Sequence, residues 1–459
     1  MSGVDRSRLP EPAADRPFRF PRIVKRMLPN GLEVRAVTHR AVPIVSMVLL
    51  VPGGSSVDPP DRHGLASITS GLMDEGSRGQ TALEVADRVS RIGGDLDLEV
   101  GADAVVVGLT TLDRFLETGM ALVHEIVTEP NLANDDFNRT RNLRLERVRQ
   151  MKDHAAAMAE RAFARTLYGS HAYGHLAMGT EASLTAMTVD DTRALHGALF
   201  APSGSTLVIV GDRSEEELLD AAAALFAGWR PAASAMTIDR GAALAPPPSA
   251  PLARLAVVSR PGAPQSELRI GHVCAARSTP DYHALLMLNT ILGGQFVSRI
   301  NLNLREAKGY TYGVRTGFDL RKGLGPFVVQ TSVGTDVTVP AIREALNELR
   351  DIAQSRPATA DEVSLAFNTV SKGYPRGFET ATQVARSVAQ LALHGLPDSY
   401  FEDFVPKLAQ ITQSEVSRVA QQYLSLDRMT TLIVGDLDKI GGSLPELGLG
   451  PHQVLTIDF

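Results

Sequence analysis

A single cysteine, Cys274, serves all 459 residues. An intrachain disulfide framework is therefore excluded, and so is a zinc site built from several thiolates. No run of 18 apolar residues occurs, so no membrane span is expected. A basic excess is missing too. Lys and Arg number 46 against 52 Asp and Glu, a net charge of −6, which removes the electrostatic footprint of a nucleic-acid binder. The opening MSGVDRSRLPEPAADRPFRFPR has no apolar core of the kind a secretory signal carries, and Asp5, Glu11 and Asp15 interrupt its arginines. Residues 1–22 read as a disordered lead-in, and the expected compartment is the cytoplasm. There is no G-x-S-x-G elbow, no phosphate-binding G-x-x-x-x-G-K-[ST] loop and no G-x-G-x-x-G turn. Cys274, inside IGHVCAA, reads as a core residue.

What is present is an ordinary globular mixture, 44% hydrophobic and 21% charged, long enough for two to four domains. Val24–Leu28 and Leu32–Thr38 flank Pro29-Asn30-Gly31, a hairpin signal. Val45–Val51 suits a central strand, broken by Pro52-Gly53-Gly54. A helix is expected from about Gly64. Another begins at Thr81, capped by Glu84, with Leu83, Ala86, Val89 and Ile92 as its apolar stripe. Gly93-Gly94 ends it, residues 95–111 read as a strand pair, and helical patterns cover 113–127 and 135–168. The Ala/Pro-rich stretch 230–253, with three consecutive prolines, cannot continue a helix or a central strand and reads as a linker.

The chain repeats itself across that linker. LVIVGD at 207–212 returns as TLIVGD at 431–436, and Leu184 and Thr188 return as Leu408 and Thr412, at one offset of 224 residues. The second half follows the strand–helix order of the first: strands at 254–259 and 267–275, a helix at 281–292, a strand at 326–333, and helices at 338–354 and 359–372. The expected fold is α+β. It consists of two homologous domains, 23–229 and 254–445, each a mostly antiparallel sheet with helices on one face, followed by a tail over 446–459.

With these segments assembled, the sequence resembles the M16 (pitrilysin-like, inverzincin) peptidases, especially the small bacterial subunits related to mitochondrial processing peptidase. The resemblance is carried by NGLEV and VPIVSMVLLVPGGSSVDPPDRHGLA, by YGSHAYGHLAMGTEASLTAMT, by LVIVGD and TLIVGD, and by LGGQFVSRINLNLREAKGYTYGV. It covers about residues 23–440 and implies the metallohydrolase fold of that family.

Active members carry His-x-x-Glu-His on a helix. Two imidazoles four residues apart grip one Zn²⁺, the Glu acts as general base, and a downstream Glu completes the ligand set. The matching positions here are Ser67, Ser70 and Gly71. Two hydroxyls and a bare backbone hold neither the ion nor the proton, so this chain is expected to bind no catalytic zinc. Glu146, near the third-ligand position, reads as solvated or salt-bridged. His63 reads as a turn residue. His171 and His175 stand four apart, but Gly169, Ser170 and Gly174 make their segment a loop whose His and Tyr are expected to bond to the backbone.

The second half keeps what the first lacks. In NLREAKGYTYGV, Arg305 and Tyr312 match the family's Arg/Tyr pair, which the resemblance implies contacts the substrate backbone, with the Tyr on the carbonyl under attack. Gly309 is expected to end a helix after Arg305, and Tyr312 to lie on the following strand; Gly293 and Gly294 would give the tight exit of the preceding helix. Tyr310 is the neighbouring choice, at a less restricted family position.

The resemblance implies a non-catalytic subunit of a heterodimeric zinc peptidase. It would supply Arg305 and Tyr312 to a composite site whose zinc sits in a catalytic M16 partner carrying His-x-x-Glu-His, acting on unfolded peptides. Nucleic acid is no partner, and a homodimer of the isolated chain is compatible with the sequence. The alternative is a structural or peptide-binding scaffold, as core subunits of the respiratory bc1 complex are relative to processing peptidase. An active zinc peptidase with unusual ligands is opposed by Ser67, Ser70 and Gly71.

Overall fold

Asn30-Gly31 makes its turn as the sequence demands: Gly31 takes φ +87°, and β1 (Val24–Met27) folds back antiparallel on β2 (Glu33–Thr38). The structure, a computed structural model, describes residues 18–459; residues 1–17 of the expected lead-in lie outside the described residues. The first sheet adds β3 (Ile44–Pro52), β4 (Asp95–Val100), β5 (Ala104–Leu112) and β6 (Thr206–Gly211), in the order β1-β2-β6-β3-β5-β4. The second contains β7 (Leu255–Ser259), β8 (Gln265–Ala275), β9 (Val314–Phe318), β10 (Gly325–Gly334), β11 (Thr430–Gly435) and β12 (Gln453–Val454), in the order β12-β7-β11-β8-β10-β9.

The 224-residue echo is one structural unit seen twice. In each sheet the repeated strand, β6 or β11, runs parallel to one neighbour and antiparallel to the other. Thr188 and Thr412 both cap the helix before it, and Leu184 and Leu408 are both buried.

Strands as apolar as IVSMVLLVP need cover on both faces. Side chains alternate to supply it. Val45, Met47, Leu49 and Val51 of β3, with Leu207 and Ile209 of β6, enter the core under the first half's own helices. Val48, Val208 and Val210 point the other way, into the second half's core, where the helix Ala381–His394 lies across β3 and β6. The exchange is reciprocal. The helix Ala155–Tyr168 of the first half lies across β8 and β11, covering Leu432 and Val434. Each sheet therefore has its own helices on one face and a helix from the other half on its second face.

Several local expectations shift. The capping box at Thr81 and Glu84 forms, but Leu83 is 82% exposed and Ala86 is exposed; Val85, Val89 and Ile92 make the buried stripe. The 135–168 pattern splits into the helices Asn134–Met151 and Ala155–Tyr168, because the chain tightens into a turn over 152–154 and leaves for the second sheet. Residues 18–22 are packed rather than disordered: the Phe20 ring is buried, 4.6 Å from that of Phe401, and Phe18 lies 5.2 Å from Tyr374. The Ala/Pro-rich stretch is tethered, with Ser234 Oγ donating to Ala194 O and Arg240 to Leu199 O. No helix among the described residues is long and apolar enough to cross a membrane.

Polar clasps fix one half on the other. Arg386 reaches from the exchanged helix to Asp97 and Glu99 of β4. Asp103, buried in the β4–β5 turn, accepts the Tyr173 hydroxyl at 2.5 Å and the Lys322 backbone N–H at 2.8 Å. Replacing Asp103 with Ala leaves both donors without their acceptor at the joint between the halves. Thermal unfolding is expected to show a loss of about 2–3 kcal/mol. Asp103→Asn, which keeps one acceptor oxygen, should lose less.

Candidate functional site

The degenerate motif lies on a short helix, Leu65–Ser70, that begins at Gly64 in the left-handed region with φ +95°. Gly64 has no side chain to cap the helix. Buried Asp58 does so from outside, taking the N–H groups of Gly64 and Ala66, each at 2.7 Å. His175 Nε2 lies 3.4 Å from Asp58 and 2.9 Å from Ser55 O. His63 is more than a turn residue: its ring stacks on His175 at 4.0 Å and 6°. Burial, then the charges of His175, Arg165 and Arg161, push the His63 imidazole down to about 4, so it is neutral near pH 7. His171 takes the Tyr173 N–H on Nδ1 and so donates through Nε2 to Ala245 O. Its partners are backbone, as its loop setting implies, but the Tyr173 hydroxyl goes instead to the Asp103 carboxylate, which is buried beside it.

Opposite the motif, on the helix Asn134–Met151, stands Arg144, which the sequence reading passed over. Its guanidinium donates through Nη1 to Ser67 Oγ and through Nη2 to Ser67 O, both at 2.7 Å. A Cβ at position 71 would lie 3.1 Å from Nη2, so Gly71 leaves room for this side chain. Burial and the charge of Arg147 lower the Arg144 pKa to about 10, still protonated near neutral pH. Ser70 Oγ is buried without a hydrogen-bond partner. Glu146 is turned outward to Arg149 at 2.6 Å, in keeping with its reading as a salt-bridged surface residue.

These residues do not fit a zinc ion. One hydroxyl already accepts from a cation, Gly71 offers nothing, and a fixed positive charge touches the ligand positions. Among the described residues no cluster of three or more His, Cys, Asp or Glu side chains could hold a metal. No pattern in the sequence singles out Arg144 among the arginines of its helix.

In the second half the helix Tyr282–Leu292 ends at Gly293. Its φ of −162° is open to any residue, so space explains this glycine: a Cβ would come within 2.5 Å of the Thr316 side chain. At Gly294 a Cβ would meet Asn289 Nδ2 at 2.7 Å. Arg305 then lies in a π-helical turn, Leu302–Ala307, which Gly309 ends at φ +65°. Tyr312 is not on the strand, as expected from alternation, but in the loop before it. β9 starts at Val314, whose N–H and C=O are both held by the Asn301 side chain.

Tyr312 is 94% exposed and lines a hollow of about 520 Å³ with Asn289, Gly293, Phe296 and Thr316. Arg305 adjoins this hollow through Phe296, its guanidinium carbon 4.0 Å from the ring centroid. Arg305 Nη1 is buried without a hydrogen-bond partner, 3.4 Å from Glu306. Tyr310 is half-buried against the second core. Phe296, 63% exposed, is the shared neighbour that sequence reasoning missed.

Comparison with known proteins bears on the family and the fold. Residues 35–181 match Insulinase (Peptidase family M16), and residues 186–370 match the Peptidase M16 inactive domain. An uncharacterized zinc protease of Streptomyces coelicolor is 22% identical over 422 residues, covering 89% of each chain. The non-peptidase homolog YmxG of Helicobacter pylori is 18% identical over 429 residues, covering 89% of this chain and 96% of that one. Among solved structures, a peptidase M16 inactive domain from Pseudomonas fluorescens superposes with a TM-score of 0.83 at 24% identity, over 90% of this chain and 98% of the other. A protease from Helicobacter pylori gives 0.83 at 19% identity, over 90% and 100%. The structural likenesses establish the two-domain fold.

Proposed function

The chain belongs to peptidase family M16, and we propose that it is the non-catalytic subunit of a two-chain zinc peptidase, lending Arg305 and Tyr312 to a site completed by a catalytic partner. The observation that carries this reading is an asymmetry. The metal positions are rebuilt around a guanidinium, whereas the Tyr312 hydroxyl stands almost fully exposed beside a hollow. A phenol held in the open can donate to a peptide carbonyl as negative charge develops on its oxygen. Arg305, resting on Phe296 beside the hollow, can orient the same peptide through its backbone oxygens. Zinc and general base belong, in this reading, to the partner's His-x-x-Glu-His.

The test is reconstitution. Alone, the purified chain should leave unstructured peptides intact. Mixed with an M16 chain of its own organism that carries the full motif, it should form a heterodimer by light scattering and raise peptide cleavage above that of the partner alone. Chelator-sensitive hydrolysis by this chain alone overturns the reading. The Helicobacter pylori relative's name, non-peptidase homolog, favours a second reading, a peptide-binding scaffold. That reading gains if the heterodimer forms or peptide binds without any rise in cleavage.

A further inference from the structure

The altered metal site is occupied by charge. Arg144 spends two of its five N–H donors on Ser67, leaving three free. The charge of Asp58 acts on Arg144 from a distance, but the acidic groups around the motif are hydrogen-bonded elsewhere. Asp58 holds the N–H groups of Gly64 and Ala66, Glu75 pairs with Arg139, and Glu146 with Arg149. Arg147, one turn along the same helix, is exposed, and its charge acts on Arg144. Buried Arg299 and Arg269 meet carboxylates, Glu362 at 2.6 Å and Glu267 at 2.5 Å, whereas buried Arg161 donates to the backbone of Gly179. Arg144 has none among the described residues, and the Ser67 bonds hold its planar fork in place before any ligand arrives.

We propose that Ser67, Arg144 and Arg147 form a carboxylate-binding subsite for peptides, taking either an acidic side chain or the C-terminal carboxylate of an extended chain. The guanidinium fork donates N–H groups to the two carboxylate oxygens, and Arg147 adds a second positive charge. A fixed cation thus keeps the polarity of the metal position while its chemistry is gone. The inference rests on the peptide-binding reading above and names which peptides that reading favours.

The test is direct binding to the full chain by fluorescence anisotropy. The probe is a short unstructured peptide, labelled at its N-terminus, containing one Glu and a free C-terminus. Two further peptides remove one carboxylate each, by C-terminal amidation or by Glu→Gln. Losing the carboxylate that the subsite uses is expected to weaken binding about tenfold, and the peptide that loses affinity identifies the source. Arg144→Gln should abolish the difference between peptides. Because Arg144 also anchors the Leu65–Ser70 helix, Arg147→Gln at the exposed position serves as the second variant. It should narrow the difference while leaving the thermal midpoint unchanged. Equal binding of all three peptides to the unaltered protein overturns the subsite and leaves the peptide-binding reading standing, as does a carboxylate preference that survives in both variants. Failure of every peptide to bind overturns the reading and the subsite together.

Discussion

Rebuilding the motif by Ser67→His, Ser70→Glu and Gly71→His will not create a zinc site. The triple variant should retain well under one zinc per chain after dialysis. A histidine at position 71 starts with its Cβ 3.1 Å from Arg144 Nη2, so imidazole and guanidinium compete for one space. An ion placed there also faces the guanidinium charge. At about 4 Å and an effective dielectric near 20, each unit-charge pair repels by about 4 kcal/mol, and a divalent ion by about twice that. Burial already lowers the Arg144 pKa, which signals a charge poorly compensated before any metal is added. Adding Arg144→Glu exchanges the opposing cation for a carboxylate on the side chain that already meets Ser67. The quadruple variant should then approach one zinc per chain, with affinity higher than that of the triple variant by on the order of 10³-fold or more. Metal analysis and titration calorimetry read both. Stoichiometric zinc in the triple variant would show that Arg144 does not guard the position.

That arginine also marks the boundary of what the sequence discloses. Periodicity and repeats operate along the chain, and they gave the elements well. The hairpin at Asn30-Gly31, the capping box at Thr81 and the echo of β6 in β11 appear where the patterns place them. The loss of metal ligands is equally local, a matter of three residue types at three positions. What fills their place comes from a helix far along the chain, and one arginine among several in LRLERVRQ carries no mark of which neighbour it will meet. The exchange of helices between halves was hidden for the same reason. ATQVARSVAQLALH is visibly amphipathic, but only the assembled fold shows that its apolar face covers Val48, Val208 and Val210 of the other half. The continuous apolar run of β3 held the clue, since a strand open to water on one face would have alternated. Near Tyr312, alternation in YTYGVRTGF suggested a strand. The side chain of Asn301 instead pins Val314 as the first strand residue and leaves Tyr312 in the loop.

That loop position makes Tyr312→Phe a clean test of the composite site. The substitution removes one oxygen and keeps the ring. The hydroxyl is almost fully exposed and the side chain contributes little to the core, so folding and thermal midpoint should be unchanged. In the reconstituted heterodimer, kcat should fall on the order of 10²–10³-fold, the usual cost of one donor aimed at a developing oxyanion. KM should change little, because a donor engaged chiefly in the transition state adds little to ground-state affinity. Arg305→Gln should behave differently. Its guanidinium stacks on Phe296, so the variant disturbs the wall of the hollow and should raise KM as well as lower kcat. A packing role for Tyr312 would instead shift thermal midpoint or heterodimer affinity and spare kcat. Unchanged kcat in a correctly assembled Tyr312→Phe complex would remove the phenol from the chemistry and favour the scaffold reading.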